Sequence, residues 1–260
     1  MLQLKGKIRK NVEENYFHVF NLFGGAYLAQ DVDADLDEIY EKWLEYGLLS
    51  PLRSESEMNK PIKPSSPKAV INLKDFMRAS WSVMEKTVYI RGAPFSIFGG
   101  FPPSIKDAFE ALDVRCRWEP SFSKLLEPTE ENLKVIFEEK DLALKEVKRL
   151  PEILNVDELG LPKEMVDELN TMLDLYNLYV AGFNICAKAI FLARKALNTK
   201  NKKDMEEAWA ALKSLSEYKN ELSNKLKETS YTHLVYVMLS TDILSSLEAD
   251  IRSSLEAVAP

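Results

Sequence analysis

The chain has 260 residues, of which 34 are basic, 41 acidic and 46% hydrophobic, for a formal charge of −7; that suffices for one large domain or two small ones, each with its own core. Two cysteines far apart in sequence, Cys116 and Cys186, exclude a disulfide framework and a CxxC-type zinc site, and two histidines, His18 and His233, leave no material for a histidine-rich metal centre. The acidic balance argues against a general nucleic-acid binder, whose affinity comes from neutralising phosphates.

The opening residues 1 to 12 are basic but are followed by no apolar core or small-residue cleavage site, so a cytoplasmic location is expected. Only two glutamines, Gln3 and Gln30, stand against 52 lysines and glutamates, a bias that predicts a thermophilic source. The first predicted helix covers about Val12 to Gln30. Its aromatic residues Tyr16, Phe17, Phe20, Phe23 and Tyr27 cover more than one face, so it is expected to be buried on several sides. Asp35-Leu-Asp-Glu38 reads as a capping box for a helix through Ile39, Tyr40, Trp43 and Leu44, ending at Gly47. Residues 51 to 68, rich in proline and serine, read as a linker or loop. A helix is predicted from Asn72 to about Lys86, then a short strand at Val88-Tyr89-Ile90. Residues 92 to 104 (GAPFSIFGGFPPS) are predicted to form an irregular apolar loop, either folded under other elements or part of a contact surface.

Thr129 is the expected N-cap of a helix that Pro151 stops near Leu150, with Glu138–Lys145 and Asp141–Lys145 as pairs on a solvated face. Eleven of the twelve prolines precede Lys163, and Gly182 is the one glycine from there on. Such a stretch predicts three long helices: one from Pro162 to about Leu197, one from about Asp204 to Leu226, and one through Leu234 to Leu255, each with an apolar stripe that must pack on something. The polar run Asn198 to Lys203 marks the first break. No stretch reaches 18 uninterrupted apolar residues, so no membrane span is expected and Leu175 to Leu192 reads as a buried helix. The predicted fold class is all-α, a multi-helix bundle with a long irregular apolar loop and at most a minor strand. Its segments are an N-terminal helical part over 1–50, the linker over 51–68, and a helical domain over 69–260, continuous with 1–50 or separate from it.

Motifs that carry chemistry are sparse. Asp31, Asp33, Asp35 and Asp37 alternate, but the sixth and twelfth positions of a calcium loop hold Leu36 and Lys42 in place of glycine and glutamate, so helix capping is the expected role and no metal site is predicted. Gly24-Gly25 and Gly99-Gly100 lie in no phosphate-cradling pattern, and no cofactor is expected. His18, one helical turn after Glu14, reads either as a charge-coupled acid or base or as a histidine at the edge of a core. Tyr89, Arg91, Trp81 and the pair Trp118-Glu119 fall in the least regular half. They combine flat rings for stacking with a guanidinium for anions, the ingredients of a sugar or carboxylate site; equally, tryptophan anchors cores and arginine makes salt bridges. No single Asp or Glu stands out as half of a glycosidase pair.

Three stretches resemble the carboxyl-terminal part of bacterial glycoside hydrolases of the α-glucuronidase and β-N-acetylhexosaminidase kind. They are Ala29 to Tyr40 (AQDVDADLDEIY, with Val32 where proline is common), Arg117-Trp118-Glu119-Pro120 with Leu126 to Thr129 and Glu139-Lys140-Asp141, and Leu175 to Leu212 with its long helices and Ala-Trp…Leu pattern. The resemblance implies a helical tail whose catalytic carboxylates sit on an upstream (β/α)₈ barrel. A barrel alone takes about 250 residues, so this chain has no room for both, and no catalytic residue carries over. The expected function is a non-catalytic helical accessory or C-terminal portion of such an enzyme, packing against a barrel or self-associating as a homo-oligomer. The aromatic helix 12–30 and the loop 92–104 would be its contact surfaces. An independent scaffold or adaptor that binds partner proteins is the alternative. A third reading is a small carbohydrate-active enzyme with its site between Tyr89, Arg91 and Trp118.

Overall fold

The computed structural model describes residues 28–29, 31–43, 67–96, 99–160, 163–227 and 238–258. The expected aromatic helix over 12–30 (apart from residues 28 and 29), Glu14, His18, Gly24-Gly25, Gly47, the linker up to residue 66 and His233 lie outside the described residues. The described residues are overwhelmingly helical, with a single two-stranded ribbon among them. The chain divides into two compact units, Met1–Arg78 with Pro151–Asn170, and Ala79–Leu150 with Thr171–Pro260.

In the first unit, helix α1 (Leu36–Lys42) begins as the alternating aspartates lead one to expect. The carboxylate of Asp31 accepts the amide of Asp33 at 3.1 Å, and that of Asp35 accepts the amide of Asp37 at 2.7 Å. The cap thus closes on Asp37, not on Glu38 as a capping box would place it. Asp37 itself faces Lys74 at 2.8 Å and Arg78 at 3.4 Å, and the hydrogen bond from Lys74 holds its carboxyl below the usual carboxylate range. Lys74 and Arg78 belong to helix α2 (Pro67–Val88), which starts five residues before the expected Asn72. Proline suits this opening, because its fixed φ is helical and its missing N–H would have no partner there. Glu158 accepts Lys68 at 2.8 Å and Asn72 at 3.4 Å, tying α2 to the 3₁₀ turn Val156–Leu159.

In the second unit, α2 runs into a hairpin of β1 (Tyr89–Ile90) and β2 (Ala93–Pro94), with Tyr89 opposite Pro94 and Ile90 opposite Ala93. The two turn residues have positive φ, Arg91 at 54° and Gly92 at 80°. This is the hand that matches the twist of a two-residue hairpin and the reason a glycine stands there. Much of the apolar loop that follows is buried where it is described: Ala93, Phe95, Phe101 and Pro102 are buried, while Gly92, Pro94 and Pro103 are exposed. Phe95 packs on Phe183 and Phe191, and Phe101 on Tyr179, Phe183 and Tyr218. Its aromatic residues Phe95 and Phe101 thus fold under other elements, the first of the two readings of this loop. The composition alone could not choose, because the decision rests on an opening in a later helix.

Helix α3 (Ile105–Cys116) is capped by Ser104, whose hydroxyl accepts the amide of Asp107 at 3.0 Å. A 3₁₀ turn (Pro120–Leu126) leads to α4 (Glu130–Val147), where Thr129 accepts the amide of Asn132 at 3.2 Å, as its sequence predicts. Pro151 does not simply stop α4. That helix ends at Val147, and Pro151 lies in the first turn of a new short helix, α5 (Leu150–Leu154). The expected Asp141–Lys145 pair gives way to a longer-range one, since Asp141 accepts Asn184 at 2.8 Å and Lys188 at 2.7 Å.

Helix α6 (Lys163–Thr199) and helix α7 (Lys202–Lys227) meet at the predicted polar break. Lys200 turns the chain with φ 54°. Asp204 binds both sides of the corner, accepting Thr199 at 2.7 Å, Asn201 at 2.6 Å and Lys195 at 2.8 Å; the Lys195 hydrogen bond leads in holding its carboxyl low. The last helix, α8 (Thr241–Glu256), is shorter than expected, since Ser240 caps it by accepting the amide of Ile243 at 3.3 Å. Residues 228–237 lie outside the described residues. The stretch Leu169–Thr199 is long and apolar enough to cross a membrane by length and composition alone. Its side chains Val180, Phe183, Ile190 and Phe191 are buried in the core of the second unit, the place a globular protein gives its most apolar helix.

Glu248 joins α7 to α8, accepting Ser216 at 2.7 Å, Lys219 at 2.7 Å and Arg252 at 3.1 Å. Burial alone would raise this carboxyl, but the three donors outweigh it and bring its pKa down to about 2 from 4.5. A depressed carboxyl contributes stability that is present above pH 4.5 and lost as pH falls toward 2. Glu248→Gln is therefore expected to lower stability by about 1 to 2 kcal/mol at neutral pH and to flatten the stability profile between pH 4.5 and 2. Urea unfolding across that range measures both.

Candidate functional site

Of the irregular residues that the sequence singles out, Tyr89, Arg91 and Glu119 meet at the hairpin turn, and Lys140, Glu139 and Arg115 bring them together. Lys140 lies on α4 in the buried stripe Leu133, Ile136, Lys140, Ala143, Val147 and is 1% exposed. A buried ammonium is costly unless it is paired and fully hydrogen-bonded. Here the last turn of α2 and the start of β1 supply the acceptors: Nζ donates to the carbonyl of Lys86, to that of Thr87 at 3.0 Å, and to that of Tyr89 in β1. The carbonyls of Lys86 and Thr87 are among those that the end of a helix leaves without amide partners, at the negative pole of its dipole. Glu139 completes the set at 3.2 Å. Burial lowers the Lys140 pKa to about 8 from 10.5, with the Glu139 carboxylate opposing the shift, so the side chain is charged at neutral pH.

The other oxygen of Glu139 accepts the amide of Arg91 at 3.2 Å. From the far side, Arg115 on α3 donates to the carbonyl of Arg91 at 3.2 Å and holds the Glu119 carboxylate through Nε at 3.3 Å and Nη2 at 3.2 Å. Its guanidinium also lies over the Phe122 ring, 4.4 Å from the centroid. A Cβ on Gly92 would be strained by its φ of 80° and would displace Nη1 of Arg115, 2.7 Å away, from the Arg91 carbonyl. Lys140, Glu139 and Arg115 thus clamp the backbone of residues 86 to 91 from two sides.

Of the residues expected to form a sugar or carboxylate site, Tyr89, Arg91 and Glu119 are joined in this network. Tyr89 and Arg91 enter it through backbone atoms, and Glu119 through a salt bridge to Arg115. Trp81 on α2 is 66% exposed and Trp118, just beyond α3, is 88% exposed. Neither ring is part of the clamp. His18 lies outside the described residues. Burial pushes the Cys186 thiol up, and burial followed by the Asp113 carboxylate raises that of Cys116, the reverse of the shift that activates a thiolate. Among the described residues no three His, Cys, Asp or Glu side chains are grouped to hold a metal ion.

The sequence did carry a signal for Lys140. Positions 133, 136, 140, 143 and 147 follow the three-and-four spacing of a buried helical face, and a lysine in that register must find acceptors in the core. Arg115 has no comparable signal, because its partners are a carbonyl 24 residues earlier and a carboxylate one turn later. No family model, no curated protein and no solved structure matches the chain.

Proposed function

We propose that the chain is a non-catalytic helical accessory module, of the kind implied by its resemblance to the tails of barrel glycoside hydrolases, and that it acts by contact with a barrel-bearing partner. The observation that carries this reading is the division of labour around the hairpin. The polar groups that suggest a reaction centre, Glu119, Glu139, Lys140 and Arg115, are all engaged in holding backbone or one another. The Trp118 ring, by contrast, is left almost wholly in water, with Val114 also exposed four residues before it. A large ring on a pinned turn offers contact area at little entropic cost, which is why tryptophan is enriched at the centres of interfaces.

A cytoplasmic, thermophilic setting belongs to the same proposal. Both cysteines are free thiols, the state favoured in a reducing compartment. Ion pairs are gathered into networks, with Lys195 facing Asp204, Glu207 and Glu130, and Glu248 facing Lys219 and Arg252; networks gain most as temperature rises.

The test is sedimentation velocity on the chain, alone and mixed with a barrel protein encoded beside it, using wild type and Trp118→Ala. The exposed ring makes few internal contacts, so Trp118→Ala is expected to stay within about 0.5 kcal/mol of wild-type stability. It should nevertheless lose the complex, or the self-associated species, that wild type forms. A complex that survives the substitution unchanged would move the contact away from Trp118, and the absence of any association would remove the proposal.

A further inference from the structure

The second unit carries an open groove between α3, α6 and α8 with a volume of about 340 Å³, within the range of small-molecule sites. Ile105, Phe109 and Leu197 line it with apolar surface. Arg194 lies in the groove with its guanidinium carbon 5.0 Å from the centroid of the Phe109 ring. Its side chain is exposed, and among the described residues no carboxylate pairs with it.

The remaining charges of the groove are engaged. Lys106 faces Glu110 at 3.6 Å, Asp250 accepts the first amide of α3, that of Ile105, at 2.8 Å, and the Asp113 carboxylate stands beside the Cys116 thiol. Among the described residues, Arg194 is therefore a cation of the groove that makes no ion pair, although the carboxylates of Glu110, Asp113 and Asp250 share the lining with it. A guanidinium laid against an aromatic ring keeps its donor edge free, and that edge matches a carboxylate in two parallel hydrogen bonds.

We infer that this groove binds a small organic carboxylate, whose anionic group takes the donor edge of Arg194 and whose apolar body lies against Phe109 and Leu197. The surrounding carboxylates Glu110, Asp113 and Asp250 oppose any negative charge on the ligand and oppose a dianion more strongly than a monoanion, so a monoanion held by Arg194 is favoured over phosphate and other dianions. The site is separate from the hairpin clamp and from Trp118, and does not depend on the contact role proposed above.

The experiment is a titration of the full chain with 3-phenylpropionate, followed by amide and arginine side-chain nitrogen resonances. Its neutral amide, 3-phenylpropanamide, and inorganic phosphate serve as controls. Saturable shifts are expected at Arg194 and along residues 105–113, with a dissociation constant on the order of millimolar. The amide and phosphate should bind at least about tenfold more weakly, as should the acid to Arg194→Gln; that substitution is at an exposed position and is expected to leave the helical circular dichroism unchanged. Equal binding of acid and amide, undiminished binding to Arg194→Gln, or no saturable shift up to about 50 mM would each overturn the inference.

Discussion

Lys140→Met is expected to destabilise the chain by about 3 kcal/mol, the largest single effect we expect from a change that keeps the apolar stem in place. The methionine still fills the stripe between Ile136 and Ala143, so the loss isolates the ammonium. Without it the carbonyls of Lys86, Thr87 and Tyr89 lose their common donor, and Glu139 keeps only the amide of Arg91. Buried acceptors that cannot turn to water bear the full cost of desolvation. A pH signature accompanies the change. The folded pKa of about 8 lies below the ordinary 10.5, so between those values the unfolded chain holds a proton that the folded chain has released. By linkage, the Lys140 contribution to stability rises with pH across that window. The stability difference between wild type and Lys140→Met should therefore widen from pH 8 to 10.5, as read by urea unfolding with circular dichroism. A loss below about 0.5 kcal/mol would show that the clamp does not hold the turn.

Gly182→Ala is expected to cost about 2 to 3 kcal/mol, although helix propensity alone predicts a gain of about 1 kcal/mol. Gly182 lies inside α6, and a Cβ there would come within 2.4 and 2.5 Å of Phe101 ring atoms and 2.6 Å of the Tyr218 hydroxyl. Neither neighbour has room to retreat. Phe101 and Tyr218 are both buried, and the Tyr218 hydroxyl is held by donating to the Leu178 carbonyl at 2.7 Å. The Tyr179 hydroxyl, one turn before the glycine, fixes the same loop through the Gly99 carbonyl. The sign of the change decides between the two effects: thermal unfolding of Gly182→Ala above the wild-type midpoint would mean that the loop 99–104 yields.

These two positions also show what the sequence discloses and what it withholds. Local chemistry announces local features: Thr129 before two glutamates marks the start of α4, and the polar run at 198–203 marks the corner that Lys200 and Asp204 build. Features set by distant partners are hidden. Residues 92–104 read equally well as core or as surface, because what admits Phe101 is the gap left by Gly182, some 80 residues later. That glycine is conspicuous as the only one after Lys163, and it records a close approach without naming the visitor. The candidate site was legible as a neighbourhood and not as a role. Tyr89, Arg91 and Glu119 do converge, yet they converge as a backbone turn and its braces, since the residues that organise them come from α3 and α4.

We propose that the acids around this turn hold structure and do not serve as a glycosidase pair, and aryl-glycoside turnover with the purified chain measures it. Wild type, Glu119→Gln and Glu139→Gln are all predicted to match the buffer rate, while both variants unfold at lower temperature than wild type because each weakens the clamp. Turnover by wild type that disappears in either variant would assign these carboxylates to a reaction.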